Sequence, residues 1–368
     1  MPTRKDLYEE PLNPTRLVIA RKRRGFNKEA VAEKVGITRL AYAAHENGKS
    51  IPRAETLEKI ASVLEYPITF FFGPDLELPD GASFRSLSRM SARTRNMALA
   101  QAALALHFSQ WLEAKFEMPS AKGKIVDLRH ERPAEAARAL RAIWDLGELP
   151  IRNMVHLLES KGVKVFSLSI ESRDLDAISI WQEDTPFVFL NTQKTPERSR
   201  FDAAHELGHL VLHQHGEARG RKAEAQADQF ASEFLMPESG FVAHVRRTPT
   251  LAGMIQAKKR WGVSLPAFNR RLHDLGLSSD WMYRRFCIEI AKRYRAEEPD
   301  SIAREASLVL PKTLSVLYEE GMNRNKIAET LSIPTKELEE LLSGLVMTSI
   351  TGGGRGSNVP SPQLVRVK

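Results

Sequence analysis

"HELGHLVLHQH", His205 to His215, places four histidines and one glutamate within eleven residues. On a helix, His205 and His209 are one turn apart and share a face, so both imidazoles can reach one ion. Glu206 then lies beside them, where it can take a proton from water. The surroundings predict that helix. Thr195 and Pro196 fill the favoured cap and first-turn positions, and Phe201, Leu207, Leu210 and Leu212 bury its other faces. A metal-binding helix following strand-like sequence therefore organises the middle of the chain, and the remaining question is the third ligand.

His215 is one candidate. The extended zinc motif needs a glycine seven residues after its first histidine, where the chain turns back; here that residue is Leu212, which favours a continuing helix. His213, one turn beyond His209, lies too far along a rigid helix to join both other histidines. The second candidate is a carboxylate from another helix. In "EAQADQFASEFLMP" (224–237), Ala227, Phe230, Ala231, Phe234 and Leu235 form an apolar stripe that Pro237 closes, bordered by Glu224 and Asp228. Burying carboxylates there costs several kcal/mol unless a metal and its histidines partner them. Glu224 is therefore assigned as the third ligand, and Asp228 as the residue that orients a histidine ring.

Around this pair of helices, "VKVFSLSI" (163–170), "DAISIWQ" (176–182) and "PFVFLNT" (186–192) alternate like strands, and their short gaps predict antiparallel pairing. Helices are expected at about 133–145 and over "IRNMVHLLESKG" (151–162). The fold class expected is mainly α with a small antiparallel or mixed sheet, α+β overall.

The amino-terminal part reads differently. Asn13 to Phe72 forms short helices with polar turns: Asn27 and Thr38 cap the second and third, and Gly25 and Gly36 end the first and second. Helix, glycine-containing turn, helix is the spacing of a helix-turn-helix. The segment "KEAVAEKVGITRLAYAAHENGKSIPRAETLEKIASVL" resembles the repressor-like XRE helix-turn-helix family over about residues 13–72. Ala32, Gly36, Ile37, Glu46, Asn47, Gly48 and Lys49 fall where its motif expects small, turn and charged residues, while His45 and Lys28 depart from it. The resemblance implies double-stranded DNA as partner, with Thr38, Arg39 and Tyr42 on the helix that enters the major groove and Lys28 and Lys49 on phosphates. A homodimer on a two-fold symmetric site is the corresponding expectation.

The stretch from "ERSRFDAAHELGHLVLH" to "EAQADQFASEFLMP" resembles the ImmA/IrrE metallopeptidases, over about Pro133 to Leu277. That resemblance implies Zn2+ held by His205, His209 and Glu224, Glu206 as general base, and a repressor-type transcription factor as protein substrate. Gln226 stands where an acid is common. Two other readings compete: a regulator whose zincin-like domain only senses a ligand or partner, and an antitoxin-like interaction module. An intact Glu206 favours the peptidase, because a sensor needs ligands but no base.

The bulk properties agree. With 42% hydrophobic and 27% charged residues over 368 positions, the chain suits a globular protein of two or three domains. Its single Cys287 excludes an internal disulfide and suits a reducing cytoplasm. Neither a secretory signal nor a membrane span is expected. The formal charge of +8 is concentrated early, with thirteen Lys or Arg against eight Asp or Glu in residues 1–64. Arg85, Arg89 and Arg93 add a basic stripe. The divisions expected are a DNA-binding domain (1–75), a linker and basic helix (76–125), the metallopeptidase domain (126–278), a helical carboxy-terminal region (279–345) and a flexible tail (346–368). Within the fourth, "GMNRNKIAETLSI" (321–333) aligns without gaps on "GFNKEAVAEKVGI" (25–37). The helix that follows, "TKELEELL", is acidic and would repel phosphate, so a protein contact or a plain helical pair is expected of it rather than base reading.

Overall fold

Polar caps and left-handed residues cut the first sixty residues into short helices. The computed structural model describes residues 11–79, 90–170, 175–214, 220–245, 250–295 and 297–346, with the backbone of 365–366. Asn13, Asn27 and Thr38 each accept a hydrogen bond from a first-turn amide and so start α1 (Pro14–Arg23), α2 (Lys28–Val35) and α3 (Arg39–Glu46). Helix α4 (Ala54–Leu64) and a 3-10 turn (Ile68–Phe72) close this unit over the buried Leu17, Val31, Tyr42, Ile60 and Phe70. Ser91 caps the long α5 (Ala92–Glu113), which packs on α1 with Arg93 and Met97 against Gly25. Gly25 sits at φ 66°, where a side chain would be strained as well as crowded. Arg85 and Arg89 of the basic stripe lie outside the described residues.

The middle of the chain runs α6 (Pro133–Ile143), α7 (Met154–Ser160), β1 (Lys164–Ser167), β2 (Ala177–Gln182), β3 (Thr185–Leu190), α8 (Pro196–Leu212), α9 (Arg221–Leu235) and α10 (Glu238–His244). Then follow α11 (Leu251–Trp261), α12 (Leu265–Asp274) and α13 (Asp280–Arg293). The sheet order is β1-β3-β2. β3 pairs antiparallel with β2, Ala177 opposite Leu190, and parallel with β1, Lys164 opposite Phe187. The sheet is mixed, as the expected fold class allows, and of the runs whose short gaps predict antiparallel pairing only β2 and β3 pair that way. Short gaps fix the direction of successive strands but not which of them are neighbours. Phe187, Val188, Phe189 and Leu190 are all buried, as a strand covered on both faces and both edges requires, and that continuous apolar run places β3 in the centre.

Beyond α13, α14 (Val309–Glu319), α15 (Arg324–Thr330) and α16 (Thr335–Leu342) reproduce the amino-terminal pattern. Asn323 caps α15 as Asn27 caps α2, Gly321 has φ 76° where Gly25 has 66°, and Ser332 has φ 55° where Gly36 has 80°. The acidic α16 does not stand free. Arg23 Nε and Arg24 Nη1 donate to opposite oxygens of Glu337, each at 2.6 Å, and Arg23 also pairs with Glu340. Both Arg23 and Glu337 are buried. On its other side α16 reaches the sheet, where Ser169 Oγ donates to the Glu340 carbonyl at 3.0 Å. The phosphate-repelling helix is thus an internal clasp between the amino-terminal unit and the sheet. The tail expected to be flexible falls outside the described residues, apart from Val346 and a two-residue bridge of 365–366 with 116–117. Among the described residues no helix is long and apolar enough to cross a membrane.

Candidate metal centre and DNA-facing surface

Helices α8 and α9 pack closely because residue 208 has no side chain. A Cβ there would stand 3.0 Å from Phe230 Cδ1 and 3.3 Å from Ala227 Cα. Gly208 therefore lets α9 approach until Glu224, in its first turn, faces the two histidines of α8. His205 Nε2 and His209 Nε2 are 3.0 Å apart, and the Glu224 carboxylate lies 3.7 Å from the first and 3.5 Å from the second. Donor atoms about 2.0–2.2 Å from a tetrahedral ion stand roughly 3.3–3.6 Å apart, so this spacing fits one ion. Glu224 Oε1 is buried without a hydrogen-bond partner, as a ligand atom would be. His205, His209 and Glu224 form the one group among the described residues that could hold a metal ion.

The electrostatics point the same way. Burial opposes charge on His205, but hydrogen bonding to Asp228, contact with Glu224 and the Glu206 charge outweigh it and raise the imidazole to about 10. Glu224 is held well below the ordinary carboxylate range by its contacts with His205 and His209. At 3.5 and 3.7 Å those are ion-pair contacts rather than hydrogen bonds. The centre thus favours positive charge between its three ligands.

Each ring is held from behind. Asp228 Oδ1 lies 2.9 Å from His205 Nδ1. His209 Nδ1 lies 2.9 Å from His213 Nδ1, and His213 Nε2 lies 3.1 Å from Gln226 Oε1. If His209 presents Nε2 to the ion, its Nδ1–H donates to His213, whose Nε2–H donates to Gln226. His213 therefore stands behind a ligand rather than beside the ion, and Gln226 is its acceptor. The helix ends at Leu212, with His213 as its C-cap. His215 lies outside the described residues.

Glu206 is buried, yet it lines the same cleft of about 620 Å³ as His205, Glu224 and Asp228. Ser179 Oγ on β2 donates to Glu206 Oε2 at 2.6 Å and fixes the carboxylate. Sequence reasoning missed Ser179. Its signal is a hydroxyl on the α8-facing side of an otherwise apolar strand. It also missed Asp202, one turn before Glu206, whose carboxyl is pushed up to about 8 by burial and by the Asp176 carboxylate.

In the amino-terminal unit, Thr38 Oγ1 caps α3 by accepting from Ala41 N at 3.1 Å, and Thr38, Arg39 and Lys49 are all exposed. Two residues expected to touch DNA are turned toward the protein. Tyr42 is fully buried: with His45 and Glu46 it lies on the inner face of α3, at the spacing that faces the core. Lys28 reaches inward to Glu46 at 3.2 Å, and Glu46 also receives Arg21, so Lys28 is engaged within the protein. The residue not anticipated is Leu40, 82% exposed on the outer face of α3. An apolar side chain there suits a thymine methyl group.

Family comparison agrees with both halves. Residues 17–71 match the helix-turn-helix family model, residues 158–273 match the IrrE N-terminal-like domain, and no curated protein matches the chain. The chain thus joins an XRE-type helix-turn-helix domain to a metallopeptidase-like domain of the IrrE/ImmA kind.

Proposed function

We propose that the protein is a DNA-binding transcriptional regulator whose zinc-dependent endopeptidase domain hydrolyses a peptide bond in a repressor-type transcription factor. The observation that carries this reading is Glu206, which opens on the cleft beside three convergent ligands and belongs to none of them. In the proposed organisation, residues 1–75 bind DNA, 76–125 link, 126–278 form the peptidase and 279–345 brace the two. Zinc, when bound, supplies a Lewis acid that polarises the scissile carbonyl and eases deprotonation of water. Glu206 accepts the proton of the attacking water and returns it to the amine as the C–N bond breaks. Asp228 and His213 hold the ligand rings in their tautomers, and Ser179 holds Glu206 toward the cleft.

The "PFVFLN" run could pair with an extended substrate only as a sheet edge, and as the central strand β3 it has no free edge. β2 is the edge strand against α8, and Ala177 at its start lines the cleft, so β2 is the strand on which an extended peptide pairs. The test is incubation of candidate repressors from the neighbouring operon with the protein, with and without chelator. Metal-dependent cutting at one site is expected, and cutting that survives chelation contradicts the reading.

For DNA, a short two-fold symmetric site bound by a homodimer is expected. Lys49→Ala should weaken binding to every sequence, whereas Arg39→Ala should blur preference among bases. Equal loss of specific and random binding in both variants, measured by titration at fixed salt, counts against α3 as the recognition helix.

A further inference from the structure

Helix α13 buries one face and leaves the other without a partner among the described residues. Phe286 and Ile290 are buried, while Trp281 is 67% and Ile288 70% exposed. At helical spacing Trp281, Arg285, Ile288 and Lys292 fall on one stripe, which Arg295 continues just past the helix end. Arg284 borders it. Both acids of α13 are engaged, Asp280 by His273 at 2.7 Å and Glu289 by Arg293 at 3.0 Å. Arg284, Arg285, Lys292 and Arg295 form no ion pair among the described residues; the Arg285 guanidinium instead lies 5.5 Å over the Trp281 ring. The stripe also leads somewhere, since Tyr294 and Arg295 line the metal cleft.

We propose that the outer face of α13 is a docking surface for an acidic amphipathic helix of a protein partner, placed so that the chain following that helix enters the cleft. Trp281 and Ile288, seven residues apart, are the anchors an amphipathic helix covers, and the surrounding cations select acids beside its apolar face. Nucleic acid fits less well. Phosphates offer nothing to Ile288, and the stripe ends beside the carboxylates of Glu206, Glu224 and Asp228, which repel them. Where the following chain goes rests on the peptidase reading; docking itself does not.

Cys287 supplies the probe, because it is the only cysteine in the chain and is exposed beside the stripe. Alkylation of Cys287 is followed in the full-length protein with a helical leucine-glutamate peptide, a leucine-lysine counterpart or a DNA duplex. At ten times its Kd the acidic peptide should slow alkylation about tenfold. That protection should weaken in high salt and disappear in Trp281→Ala and Ile288→Glu. Chelated wild type and Glu206→Gln should show the same protection, so a failed peptidase reading leaves docking measurable. Absence of protection by the acidic peptide, equal protection by the basic peptide or the duplex, or protection that persists in both variants overturns the proposal.

Discussion

Glu206→Gln should lower repressor hydrolysis by roughly two orders of magnitude or more, as loss of a general base does, while metal and DNA binding persist. The amide has the shape of the carboxylate, so Ser179 Oγ can still donate to the side-chain oxygen as it now does at 2.6 Å. The buried side chain then has no reason to move. What disappears is the lone pair that accepts a proton as water attacks. Wild type and variant should be compared on one substrate with matched metal content. A variant that cuts within tenfold of wild type would require another base. Unchanged regulation in cells carrying Glu206→Gln would favour the sensor reading.

Arg23→Ala should destabilise the protein by about 1.5–3 kcal/mol, the range for losing hydrogen bonds to a charged group, less than breaking a buried pair outright because Glu337 keeps Arg24. Glu337 is buried and receives both Arg23 and Arg24 at 2.6 Å. Truncating Arg23 leaves that carboxylate with Arg24 alone and frees Glu340. Arg24 is the more exposed arginine, so Arg24→Ala should cost less. Because the clasp joins residues 314 positions apart, its loss should appear as an early urea transition, with the amino-terminal unit loosening before the sheet. Screening reaches buried pairs poorly, so the difference should survive high salt. A change below about 1 kcal/mol, the range of exposed pairs, contradicts this account of the clasp.

Local features of the fold were legible because they are written in consecutive residues. Asn27, Thr38 and Thr195 cap the helices their positions predict. The histidine spacing and the apolar stripe of α9 were enough to bring His205, His209 and Glu224 to one point. Pairings between distant residues were not legible. The central place of β3 depends on which strand lies beside it, and alternation does not encode that. Ser179 meets Glu206 across 27 positions and Arg23 meets Glu337 across 314, so neither contact leaves a local pattern. Tyr42 misled because a phenol suits both a groove and a core; only the register of α3, with His45 and Glu46 on the same side, places it inside.

The most direct measurement is metal content in purified wild type, Glu224→Ala, His213→Ala and His215→Ala. With two histidines of α8 and one carboxylate of α9 as ligands, wild type should hold about one zinc per chain. Glu224→Ala should lose it; His213→Ala and His215→Ala should keep it, His213→Ala with up to a roughly tenfold to hundredfold weaker hold through the freed His209 ring. Zinc retained in Glu224→Ala and lost in His215→Ala would contradict the ligand set, and with it the placement of α9 as the helix that completes the site.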